Sequence, residues 1–202
     1  METELEAKWL NIDIEQFRLR LSEIGAKMIS SERLMVRRIY DFPDSRLQDS
    51  GGWVRLRDEG YKVTLCYKQL NDRTLHGTKE VTVVVDSMEN TNVFLESIGL
   101  VSKSLQETKR ESWKLGDVEI ELDTWPWIPS FIEIEANSEQ EMKHVAEKLR
   151  LNLADALHGS VETAYQAVFD VSEEEIIGMK NIQFSEVPDW LEEKRIKKQN
   201  DI

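Results

Sequence analysis

The sequence predicts an α+β fold in which a closed, eight-stranded antiparallel β-barrel forms a tunnel with a charged lumen, with helices packed outside it. Three observations predict this. The segment order reads strand, helix, four strands, helix, three strands, helix. Within the strands, the polar positions that alternate with apolar ones are mostly full charges, with little Ser, Thr or Gln. The signs are also segregated by strand, whereas a solvated sheet face usually mixes them.

Each element follows from local pattern. In a strand, side chains alternate between two faces. "METELEAKWL" therefore sets Glu2, Glu4, Glu6 and Lys8 against Leu5, Ala7 and Trp9. Asp13 is placed to cap a helix over "IEQFRLRLSEIG", which repeats Ile14, Phe17, Leu21 and Ile24 at helical spacing and stops at Gly25. "ERLMVRRIYDF" is the second strand, where Arg38 alternates with Arg37 and Ile39. In "GWVRLRDEG", Arg55 and Arg57 share a face with Trp53, opposite Val54 and Leu56. In "YKVTLCYKQL", Lys62, Thr64, Cys66 and Lys68 oppose Val63, Leu65 and Tyr67. "TKEVTVVVD" sets Glu80 and Thr82 against Val81, Val83 and Val85. "MENTNVFLESIG" is helical, and "QETKRESWKL" is a strand. In "DVEIELDTW" and "SFIEIEAN", Glu119, Glu121, Asp123, Glu133 and Glu135 oppose Val118, Ile120, Leu122, Ile132 and Ile134. Ser138 and Glu141 stand at capping-box spacing before the next helix. Beyond about residue 160, "SVETAYQAVF" and "SEEEIIG" read as short helices, and "VPDWLEEKRIKKQND" as a terminal helix. The expected division is a tunnel domain over 1–160 and a helical extension over 161–202.

The balance of 26 Lys and Arg against 39 Asp and Glu leaves a net charge of -13. That argues against binding duplex DNA or anionic membranes through bulk charge. Cys66 is the single cysteine, so no internal disulfide forms, which suits a reducing cytosol. No apolar run approaches membrane-spanning length, and a soluble cytoplasmic protein is expected. The histidines His76, His144 and His158 show no metal-ligand spacing, and no phosphate-binding Gly-rich loop is present.

The charge segregation points to a ligand class. Carboxylates lie on the first, seventh and eighth strands, and Arg and Lys on the third and fourth. Buried like charges persist only when paired or metal-bound. An acidic wall facing a basic wall suits a polyanion with divalent cations: carboxylates take Mg²⁺ or Mn²⁺, and Arg and Lys take phosphate oxygens.

The motif residues resemble those of the CYTH superfamily, the triphosphate tunnel metalloenzymes. "ELEAK" resembles that family's Glu-x-Glu-x-Lys signature, "YDFPDSRLQDSGGWVRLRDEG" its approach to an Arg-x-Arg strand, and "LDTWPWIPSFIEIE" its late acidic strand pair. Lys68 sits like the lysine of the following strand. The resemblance spans about residues 1–155. It implies an eight-stranded tunnel binding a small-molecule triphosphate with Mg²⁺ or Mn²⁺, and no nucleic acid or membrane partner; a homodimer is left open. The residues it implies as metal ligands are Glu4, Glu6, Glu121, Asp123, Glu133 and Glu135. Lys8, Arg55, Arg57, Lys68 and Arg110 are implied for substrate binding, to which the alternation of the second strand adds Arg38, and Glu4, Glu6, Lys8, Arg55, Arg57 and Lys68 are implied for catalysis. Two departures matter: Lys109 and Arg110 are adjacent where many members space the pair, and the His-Phe pair preceding the acidic motif of many class IV cyclases is absent. The implied activity is metal-dependent hydrolysis of a triphosphate (tripolyphosphate, thiamine triphosphate or a nucleoside triphosphate). The alternatives are cyclisation of ATP to cyclic AMP and pyrophosphate, or binding without turnover.

Overall fold

The structure, a computed structural model, describes residues 2–71 and 77–197, with side chains from Leu5 onward. The Glu4 side chain and His76 lie outside the described residues. The elements run β1 (Glu2–Leu10), α1 (Ile14–Glu23), β2 (Lys27–Asp41), α2 (Arg46–Asp49), β3 (Gly52–Asp58), β4 (Val63–Leu70), β5 (Thr78–Val85), α3 (Met88–Ser97), β6 (Val101–Leu115), β7 (Val118–Thr124), β8 (Phe131–Ala136) and α4 (Glu139–Lys148). After a 3₁₀ turn at Leu153–Asp155 come α5 (Glu162–Gln166), α6 (Glu173–Ile177), β9 (Asn181–Ile182) and α7 (Asp189–Glu192).

The caps expected from the sequence are present. The Asp13 carboxylate accepts from the Gln16 N–H at 3.0 Å, and the Ser138 hydroxyl accepts from the Glu141 N–H at 3.2 Å. Gly25 takes φ +82°, the left-handed stop that favours glycine.

The sheet is large and antiparallel, in the order β2-β3-β4-β5-β1-β8-β7-β6, with β9 added in parallel beside β6. β2 and β6 also pair with each other, from Lys27 opposite Lys114 to Asp41 opposite Val101. That mutual ladder extends both strands beyond the segments expected from alternation, because each backbone satisfies the other where side-chain pattern is weak. The ladder between β1 and β5 covers only Glu2–Glu4. Past Glu4 the register of β1 with β5 ends among the described residues. Instead the backbone of Lys8 exchanges two hydrogen bonds with Leu157, at 2.9 and 2.8 Å.

Helices cover the apolar face. Phe17 and Leu21 of α1, with Met142, Val145 and Leu149 following α4's turns, pack on Trp9, Ile120, Leu122, Ile132 and Ile134. Leu95 of α3 packs near Tyr40 and Leu56 on the opposite side. The C-terminal segment builds a third cluster, in which Tyr165, Phe169, Ile176, Ile182 and Leu191 surround Trp125, Ile128 and Phe131 of the β7–β8 connection.

The terminal helix is shorter than the charge pattern predicts, ending at Glu192. The chain then turns back, so that Asp170 N–H donates to Lys194 O at 2.8 Å and Ile196 N–H to Val168 O at 2.9 Å. These tertiary hydrogen bonds win over a solvated helix that has no apolar stripe to bury.

Candidate active site

The charged faces of the strands line one cavity of about 740 Å³. Cross-strand register explains which side chains reach it, because residues directly opposite share a face. Arg37 stands opposite Arg57, and Arg38 opposite Leu56. Leu56 belongs to the apolar cluster under α3. Arg37 therefore turns inward, and Arg38, the residue chosen from sequence, does not line the cavity. Alternation alone left the choice between them open, and the register decides it.

The acidic wall comes from β1, β7 and β8. Glu6 lies opposite Glu135, Lys8 opposite Glu133, and Glu121 opposite Glu133. Lys8 is 3 % exposed; its Nζ donates to Glu6 Oε1 at 2.8 Å and Gly159 O at 2.7 Å, and lies 3.5 Å from Glu133 Oε2. Arg110 donates to both carboxylate oxygens of Asp123, at 2.7 and 2.5 Å, and its Nη2 reaches Glu133 Oε1 at 3.4 Å. Burial alone would lower the Arg110 pKa, but Asp123, Glu121 and Glu133 outweigh it and hold it well above the ordinary value. Burial likewise opposes ionisation of Glu133, yet Lys8, Arg110 and Lys68 hold that carboxyl well down. Glu121 differs: burial first, then the neighbouring Asp123 and Glu133, push it up to about 7 despite Arg110.

The basic wall comes from β2, β3 and β4. Arg57 donates to Glu59 Oε1 at 3.0 Å from Nε and 2.6 Å from Nη2. Burial, reinforced by Arg55 and Arg110, lowers its pKa to about 10. Arg37 donates to Thr108 Oγ1 at 2.7 Å and stacks 4.6 Å from the Trp125 ring centroid. Burial and the like charges of Arg57, Arg55 and Arg110 drop its pKa well below the ordinary value. The Nε atoms of Arg33, Arg37 and Arg55 are buried without a hydrogen-bond partner among the described residues. Lys68 Nζ lies 3.1 Å from Glu80 Oε2 on the adjacent strand.

The cavity thus brings together Glu6, Lys8, Arg55, Arg57, Lys68, Arg110, Glu121, Asp123, Glu133 and Glu135, all chosen from sequence. Sequence reasoning missed Arg33, Arg37, Glu59 and Glu162, which also line it. Glu59 sits in a turn outside any alternation, and Glu162 lies far along the chain, so neither carried a local signal.

A hard divalent cation needs several oxygen donors at once. Among the described residues, no three His, Cys, Asp or Glu side chains form a group that could hold an ion by themselves. Glu121 Oε2 is nevertheless buried without a hydrogen-bond partner among those residues. Carboxylate oxygens are the chemistry that hard cations take, so the residues fit Mg²⁺ or Mn²⁺ when further oxygens come from a ligand.

A family model for the CYTH domain matches residues 2–165. Among solved structures, the PH1012 protein from Pyrococcus horikoshii superposes with a TM-score of 0.67 at 20% identity, covering 80% of this chain and 98% of its own. A proposed adenylate cyclase from Vibrio parahaemolyticus gives 0.69 at 17% identity, covering 82% and 98%. HpAC1 from Hippeastrum, described as having a dominant triphosphatase activity, gives 0.57 at 13% identity, covering 86% and 94%. No curated protein matches the chain. No helix among the described residues is long and apolar enough to cross a membrane. With the family model spanning most of the sequence, the chain belongs to the CYTH domain family.

Proposed function

We propose that the protein is a metal-dependent hydrolase of a triphosphate-containing substrate, bound in a tunnel formed where the curved sheet encloses the cavity. The carrying observation is Arg37 and Arg55, guanidiniums in one cavity whose Nε atoms are buried without partners. A buried guanidinium N–H without an acceptor is costly, and a phosphate oxygen would supply one. A triphosphate supplies three linked phosphates. Arg37, Arg55, Arg57 and Lys68 would position them, and Arg110 and Lys8 would stabilise the charge that develops on the phosphoryl oxygens. Glu6, Glu121, Glu133 and Glu135 would hold Mg²⁺ or Mn²⁺, with Glu4 and Asp123 as further members. When bound, the ion supplies Lewis acidity toward the phosphate oxygens. Phosphoryl transfer depends chiefly on such positioning and charge stabilisation. Hydrolysis needs no pocket to aim a ribose hydroxyl, so it asks less of the site than cyclisation does.

The test incubates the protein with ATP, thiamine triphosphate and tripolyphosphate, each with Mg²⁺ or Mn²⁺, and resolves the products. Orthophosphate release, abolished by chelator, is the expected outcome. Cyclic AMP and pyrophosphate without orthophosphate would replace hydrolysis with cyclisation. Tight binding without product would make the protein a triphosphate-binding module.

A further inference from the structure

The C-terminal segment does more than cover the sheet. Ser160, Val161, Glu162, Glu173 and Ile177 line the same cavity as Lys8, Arg37 and Trp125. The segment is fixed there by the Leu157 backbone bridge to Lys8 and by the hydrogen bond from Lys8 Nζ to Gly159 O. The buried Tyr165, one turn after Glu162, donates to Pro126 O at 2.9 Å and meets Trp125 edge-on, with centroids 6.4 Å apart. The lining here therefore joins apolar and aromatic surface to carboxylates.

Glu162 is the anomaly. Its Oε2 is buried and has no hydrogen-bond partner among the described residues. Burial pushes its carboxyl up, as does Glu173, while Ser160, its own backbone N–H and Lys8 only partly oppose this. An unsatisfied buried carboxylate oxygen costs free energy that a donor would recover. The last torsion of a Glu side chain is broad, so a small rotation presents either oxygen to the cavity. Inorganic tripolyphosphate offers no cationic or N–H group to the Glu162 carboxyl.

We infer that Glu162 is a specificity-determining residue: it accepts a hydrogen bond from an amino or cationic nitrogen on the organic group of the substrate. This inference rests on the triphosphate reading above and narrows it to organic triphosphates bearing such a donor. A nucleobase amine and a cationic heterocycle share that chemistry.

The experiment compares wild type with Glu162→Leu and Glu162→Gln, using ATP, thiamine triphosphate and tripolyphosphate with Mg²⁺ or Mn²⁺. Both kcat/KM for phosphate release and equilibrium binding by calorimetry are measured, and thermal unfolding checks folding. Wild type is expected to prefer at least one organic substrate over tripolyphosphate. Which one it prefers separates a nucleobase from a cationic heterocycle. Glu162→Leu should lose roughly 10- to 100-fold for that substrate, the value of one hydrogen bond to a charged group, with tripolyphosphate unchanged or improved. Glu162→Gln, which keeps an accepting oxygen, should lose less. A wild-type preference for tripolyphosphate, or an equal loss on all three substrates, overturns the inference. Absent phosphate release would refute hydrolysis alone, because calorimetry still reads the discrimination.

Discussion

Two buried arginines in one cavity behave in opposite ways. Arg110, on β6, is neutralised by Asp123, Glu121 and Glu133, and its charged form is strengthened. Arg37, on the adjacent β2, lies among Arg57, Arg55 and Arg110, only partly offset by Asp123, and donates a hydrogen bond to Thr108. Arg37 is 6 % exposed and the Arg110 side chain 15 %, and the more buried of the two is the one with fewer counter-charges. What differs is the partner presented by the neighbouring strand: β7 brings a carboxylate opposite Arg110, whereas β3 brings Arg57 opposite Arg37. Arg110 is thus internally compensated, Arg57 and Lys68 each have a carboxylate neighbour, and Arg37 stands chiefly among like charges.

The largest effect is expected at Arg110. Arg110→Met leaves Asp123, 1 % exposed, without its bidentate partner. Breaking one side of a buried ion pair costs about 3–5 kcal/mol, which urea unfolding would register as a lowered midpoint. A loss below about 1 kcal/mol would break the contrast between the two arginines.

At Arg37 the same substitution should separate stability from binding. Arg37→Met removes repulsion from three arginines but also a hydrogen bond and the stacking on Trp125. Its net effect on unfolding should stay within about 1.5 kcal/mol. Triphosphate affinity measured by calorimetry should fall roughly tenfold or more. A large destabilisation with affinity intact would show Arg37 to be a strut like Arg110.

The smallest effect sharpens the comparison inside the basic wall, where Arg57 has a local counter-charge. Burial raises the Glu59 pKa, but Arg57 and then Lys62 and Thr64 outweigh it and hold the carboxyl below its ordinary value. A depressed carboxyl contributes stability above its unfolded pKa and loses it as pH falls through the folded one. Glu59→Gln should therefore cost about 1–2 kcal/mol at neutral pH. The gap from wild type should close as the pH drops below the usual carboxylate range. Melting temperatures measured across acidic pH would show the two curves converging; a constant gap would mean that Glu59 acts through packing alone.

The ordered run of strands and helices was legible in the sequence because strands with one apolar face repeat every two residues and helices every 3.6. The sign of each wall was equally legible, since Glu6, Glu133, Arg55 and Lys68 each stand in an unbroken alternation. The caps at Asp13 and Ser138 were readable because a cap is made within four residues.

What only the tertiary structure decided required strands to be set side by side. The choice of Arg37 over Arg38 came from a register with β3 that no residue of β2 encodes alone. The early end of the terminal helix came from hydrogen bonds to a segment some 25 residues away. The arrival of Glu162 in the cavity depended on Leu157 taking the edge of β1 that β5 leaves unpaired. Sequence determined which side chains could share a face, because that is a property of the local backbone. Which charges met there, and which were left without a partner, was fixed by long-range pairing, because a charge's free energy depends on neighbours that the chain supplies from elsewhere.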